Sequence, residues 1–180
     1  METNEEIEIK GNILMVIAPS DFRDEELFET KKIFEENGYA TMVTSSATGI
    51  INGALGGSIE VEKDIMNIDL SQYNAVVFVG GKGVEKHKLY KDANYLGLAK
   101  VAHAFNKTIG AICLAPQILA GAGLLTSKRA TVFQAGKEYL NSKGAIFVNK
   151  DVVVDRHFIT GNGPNAIKEF AAAVMNNIKN

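Results

Sequence analysis

The strongest constraint in this chain is an alternation. Short, wholly apolar runs are separated by stretches of helical periodicity, and the pattern repeats to the C-terminus. Ile13–Ala18, Ala75–Val79 and Thr108–Ile112 carry almost no polar residue, as strands buried on both faces do. Between and around them, residues 25–37, 93–105, 116–122 and 165–178 show apolar positions three and four apart. In the first of these helices Leu27, Phe28, Ile33 and Phe34 are expected to face inward, and Gly38 to stop it. A second strand is expected at 40–44 and shorter ones near 130–133, 146–148, 152–154 and 158–160. Asn52-Gly53 and Gly56-Gly57 mark small hairpins. Buried strands alternating with amphipathic helices predict a three-layer α/β/α sandwich, flavodoxin-like, with a mostly parallel sheet.

The chain has 180 residues, enough for one domain with a substantial core, so residues 1–180 are read as a single domain with 1–10 as a flexible tail. A net charge of −2 supplies no basic field, which argues against nucleic acid or an anionic membrane as partner. Met1–Lys10 carries four glutamates and no apolar run, and no stretch reaches membrane-spanning length; a cytoplasmic location is expected. One cysteine excludes an internal disulfide and the multi-cysteine zinc sites. The three histidines, His87, His103 and His157, stand far apart in sequence without ligand spacing, and are read as surface residues. Neither a metal nor another cofactor is expected.

Chemistry then rests on one thiol, on carboxylates and on backbone groups. In open parallel sheets these matter at the carboxyl ends of strands. A strand runs into Ala111-Ile112-Cys113-Leu114-Ala115-Pro116, and Pro116 suits the first turn of a helix. Small residues two before and two after Cys113 are what a nucleophile elbow requires. A sulfur aimed over a helix start should have a lowered pKa. Another strand ends at Gly80-Gly81, where backbone can approach a ligand closely, and the amides of Gly81 and Leu114 are candidates to bind an oxyanion. Gly80-Gly81-Lys82-Gly83 lacks the spacing of a phosphate loop. Asp24, Glu25 and Glu26 begin a helix at the same edge; carboxylates belong there electrostatically, and spacing does not say which one turns inward.

Together, residues 21–27, 77–81, 111–116 and 160–164 resemble the ThiJ/PfpI family, which includes the PfpI-type intracellular proteases, over nearly the whole chain. The resemblance implies a class I glutamine-amidotransferase-like fold, a homodimer or larger assembly, a reactive elbow cysteine at Cys113 and a buried, protonated glutamate beside it, which falls on Glu26. It assigns oxyanion binding to Gly81 and Leu114 and a pocket bordered by Gly80, Gly163 and Pro164. Protease-like members have histidine directly after the cysteine, where this chain has Leu114, and other members have a pocket histidine where it has Phe133. Without a local base, proteolysis is disfavoured. The expected activity is cysteine-dependent hydrolysis, or glyoxalase- or deglycase-like chemistry, on a small carbonyl or peptide-like substrate. The alternative is a redox-sensing stress protein whose cysteine is oxidised to sulfinate.

Overall fold

The computed structural model describes residues 8–179. The expected tail falls mostly on residues 1–7, outside the described ones; within it, Lys10 donates its amide to the Gly38 carbonyl at 2.8 Å. In chain order the elements are β1 (Gly11–Val16), α1 (Asp24–Glu36), β2 (Tyr39–Ser45), β3 (Gly49–Asn52), β4 (Ser58–Val61), β5 (Lys63–Asp64), β6 (Ala75–Phe78), α2 (Lys82–Lys86), α3 (Ala93–Ala104), β7 (Thr108–Ile112), α4 (Pro116–Gly121), β8 (Arg129–Ala130), α5 (Lys137–Ser142), β9 (Ile146–Phe147), β10 (Val152–Asp155), β11 (Phe158–Gly161) and α6 (Ile167–Asn177).

Seven strands form one sheet in the order β10-β11-β7-β6-β1-β2-β5. All neighbours run parallel except β10 on β11. The apolar runs lie where the pattern places them, in the middle, because a strand apolar on both faces needs cover on both. Side chains divide accordingly. Leu14, Val16, Val76 and Phe78 join Tyr95, Leu98, Ile118 and Leu140 on the face covered by α3, α4 and α5. Ile13, Met15, Val77 and Val79 join Leu27, Phe34, Phe170 and Val174 on the face covered by α1 and α6. This is the expected sandwich.

Several details depart from expectation. Phe28 is exposed rather than inward; its ring meets Phe22 edge-on, with centroids 5.9 Å apart. Buried Thr30 takes an inward position on the same helix. The strand expected at 130–133 shrinks to β8, which pairs with β9 outside the main sheet. Gly38, at φ 88°, stands just past the C-cap of α1 where the stop is predicted, a conformation that suits glycine.

Strand order reverses between β1 and β6, the place where such sheets open a crevice. The buried Tyr95 hydroxyl donates to the Ile17 carbonyl at 2.8 Å and accepts the Ser46 amide at 3.2 Å, tying the exits of β1 and β2 together. The loop after β1 is held in turn: the Arg23 amide donates to Gly80 O and the Gly83 amide to Asp21 O, both at 2.9 Å.

Candidate active site

Cys113 follows directly on β7. Its amide continues the ladder to the Gly161 carbonyl at 2.9 Å, and then its own φ of 61° swings the chain out of the sheet. Positive φ in a residue with a Cβ costs energy and marks a turn fixed by its surroundings. Here the Ala115 amide closes the turn on Ile112 O at 3.0 Å, and the Phe133 amide clamps Cys113 O at 2.8 Å. Ala111 and Ala115, both fully buried, leave room for the bend.

Gly80 shows why this crowded place needs a glycine. A Cβ built there lies 2.6 Å from Cys113 Cβ, 2.6 Å from Ile112 O and 2.7 Å from a Glu26 carboxyl oxygen. Cysteine, carboxyl and glycine backbone thus converge on one spot. Gly81 adopts φ 120°, and a side chain on it would strike the Arg23 amide nitrogen at 2.4 Å.

The three consecutive carboxylates, indistinguishable by spacing, do three different things. Asp24 accepts the amides of Leu55 and Gly57 at 2.8 and 2.6 Å, pinning the turn of the β3–β4 hairpin. Glu25 takes a forked pair from Arg23, at 2.8 and 3.1 Å, which holds its carboxyl below the usual range. Glu26 turns inward and is fully buried. One of its oxygens accepts the Gly80 amide at 3.0 Å, while Oε1 has no hydrogen bond of good geometry among the described residues. Cys113 is the immediate side-chain neighbour of this carboxyl, the two meeting over Gly80. Burial pushes the Glu26 carboxyl up to about 7, against the pull of Cys113, the Gly80 amide and Arg23.

The thiol corrects an expectation. Helix α4 is only six residues long, so its dipole is small, and burial followed by the Glu26 charge pushes the Cys113 pKa up rather than down. The amides of Leu114 and Gly81 lie against the thiol and pull the other way. Removing the charge on Glu26 removes its repulsion of a thiolate. The two groups therefore form a coupled pair in which a proton on the carboxyl favours the anion on sulfur.

A cavity of about 530 Å³ opens onto Cys113, lined also by Arg23, Glu25, Ala54, Leu55, Gly81, Lys82, Leu114, Phe133, Pro164 and Asn165. Of the sequence candidates, Cys113, Gly81, Leu114 and Pro164 meet there. Gly80 and Glu26 form the ground beneath the thiol rather than the wall. Gly163 lines an adjoining hollow of about 260 Å³ that shares Phe133, Pro164 and Asn165 with the first. Ala54, Leu55 and Asn165 carry no sequence signal, and Arg23 has no role assigned from the sequence; the hairpin brings in Ala54 and Leu55. No histidine lines either space among the described residues. His87 accepts or donates a 2.8 Å hydrogen bond with Ser20. His103 and His157, 54 positions apart, are not isolated as expected: their rings stack, with Nδ1 and Nε2 2.8 Å apart, at the opposite edge of the sheet. Among the described residues, no group of three or more ligating side chains converges as a metal would require.

The profile of the DJ-1/PfpI family matches residues 11–177. This chain belongs to the DJ-1/PfpI family. An uncharacterized protein of Methanocaldococcus jannaschii is 43% identical over 171 residues, covering 94% of this chain and 83% of that protein. A deglycase of Pyrococcus abyssi is 28% identical over 151 residues, covering 84% of this chain and 90% of its own. The crystal structure of a ThiJ/PfpI domain protein from Brachyspira murdochii superposes with a TM-score of 0.89 at 37% identity, covering 92% of this chain and 95% of that one. The fold of this family is the α/β flavodoxin-like, class I glutamine-amidotransferase-like one described above. Among the described residues no helix is long and apolar enough to cross a membrane.

Proposed function

We propose that this protein is a cysteine-dependent hydrolase of deglycase type, acting on small reactive carbonyls or their amine and amide adducts. One observation carries the reading: a strained cysteine at the floor of an open cavity, set against a buried carboxyl whose ordinary pKa has risen to about 7. Likeness to a deglycase over most of both chains supports it.

In the first step the Cys113 thiolate adds to the carbonyl carbon. A C–S bond forms, the π pair moves to oxygen, and the amides of Gly81 and Leu114 face the developing charge. For an amide adduct, collapse re-forms the carbonyl, breaks the C–N bond and expels the amine with the proton held on Glu26, leaving a thioester on Cys113. Water then adds to the thioester carbon and gives its proton to the Glu26 carboxylate, and the C–S bond breaks to release the acid and the Cys113 thiolate. A carboxyl poised near neutral pH suits transfer in both directions. Proteolysis fits poorly, because Leu114 and Phe133 stand where a histidine base is needed.

The test is turnover of a methylglyoxal adduct of an N-acetylated amino acid. Activity in wild type that vanishes in Cys113→Ser supports the reading; equal activity in both sinks it. The lack of a cavity histidine favours one second reading, a redox sensor, since oxidation needs a thiolate but no general base. There peroxide takes the thiolate to sulfenate with release of water, and a second equivalent gives sulfinate, to which protonated Glu26 donates. Intact mass after mild peroxide separates the two: no gain of oxygen at Cys113 removes the second reading. The location is cytoplasmic and the assembly a homodimer or larger in this proposal.

A further inference from the structure

The charges around the Cys113 cavity do not cancel. Arg23 and Glu25 both line it, but each is spent on the other through the forked pair at 2.8 and 3.1 Å. Lys82 also lines it, is exposed, and has no carboxylate within ion-pair distance among the described residues. Its backbone follows directly on Gly81 at the start of α2, so its side chain springs from the segment that borders the thiol and reaches along the cavity wall. The adjoining hollow beyond Phe133 and Pro164 has only uncharged residues in its lining. The lining therefore carries one positive charge without an ion-pair partner, in a chain whose net charge is −2.

We propose that Lys82 makes this a site for carbonyl substrates that carry a carboxylate, holding the anion at the cavity mouth while the carbonyl meets Cys113. This rests on the nucleophilic role given to Cys113 above. A neutral aldehyde gains nothing from the ammonium. A 2-oxo or aldehydic acid gains a charge contact that also orients it.

Lys82 has one competing role, stabilising the thiolate itself, and the test separates the two. Cys113 is the only cysteine, so every alkylation event reports on this site. Iodoacetate and iodoacetamide react alike: the thiolate displaces iodide and an S–C bond forms. Both need the same thiolate, so any effect of Lys82 on its population cancels in the ratio of their rate constants. What survives is the preference for the charged reagent, referred to the same ratio for N-acetylcysteine. In wild type at low salt that normalised ratio is expected at about three- to tenfold, the size of one partly screened charge contact. It should fall toward one in Lys82→Gln, persist in Lys82→Arg, and shrink in ~0.5 M salt, where the screening length is about 4 Å.

A normalised ratio at or below one in wild type overturns the proposal, as does a ratio that Lys82→Gln leaves unchanged. Either result leaves the nucleophile intact. Failure of both reagents to alkylate Cys113 at any pH removes the nucleophile and this proposal with it.

Discussion

Two pairs of titratable side chains sit at opposite edges of the same sheet. At the carboxyl edge, Cys113 and Glu26 lie buried between strand ends. At the amino edge, His103 and His157 stack with a 2.8 Å hydrogen bond, His103 exposed and His157 partly so, near Lys128, Arg156 and Lys179. Both pairs are close. Only the first includes a fully buried acid, and that carboxyl is moved from an ordinary 4.5 to about 7. In the second, partial burial and the neighbouring cations hold His157 below the usual histidine value, with solvent available to screen them. Proximity alone does not make a proton-sharing site; proximity without solvent does.

The contrast can be broken in order of expected effect. Cys113→Ala should cost activity on a carbonyl adduct about a thousandfold or more, as loss of a nucleophile does, whereas His157→Gln should leave it unchanged; steady-state rates decide. Glu26→Gln should change the pH dependence of stability. The folded carboxyl binds its proton more tightly than the unfolded one, so its contribution is full below about pH 4.5 and is lost as pH rises through about 7. Wild type should therefore lose on the order of 3 kcal/mol more than Glu26→Gln across that window. Denaturant midpoints at pH 5 and pH 8 measure it, and parallel curves would refute the coupling.

Gly80→Ala tests the crowding itself. With three contacts under 2.8 Å awaiting its Cβ, it should destabilise by about 2 kcal/mol and slow Cys113 alkylation together. Unfolding midpoints and a thiol probe check both. The smallest effect belongs to the amino edge. The lowered His157 pKa means its destabilising influence appears as pH falls below the ordinary histidine value of 6.5. His157→Gln should slightly flatten stability between pH 7 and 5, visible as a small shift in thermal midpoint.

Legibility in the sequence followed physical scale. The central strands were readable because apolar cover on two faces demands continuous apolar residues, and Ile13–Ala18, Ala75–Val79 and Thr108–Ile112 supply them. The cysteine turn was readable because sharp bends need small neighbours, Ala111 and Ala115. Helices α2 and α5, five and six residues long, are too short to display a period in the sequence. Which acid turned inward was not written in spacing, since Asp24, Glu25 and Glu26 differ only by a third of a turn each. The hairpin decided it, by presenting the Leu55 and Gly57 amides to Asp24. Phe28 faces outward for a related reason: the loop after β1 and the β3–β4 hairpin supply Phe22 and Gly57 as its neighbours in place of the sheet. The histidine stack joins distant segments and left no local trace.

The bond from the Phe133 amide to the Cys113 carbonyl has a mechanical corollary. It fastens the aromatic flank to the bend that aims the sulfur, so neither shifts without tugging the other. Whatever holds the backbone at 133 in place thereby also steadies the direction in which the sulfur points.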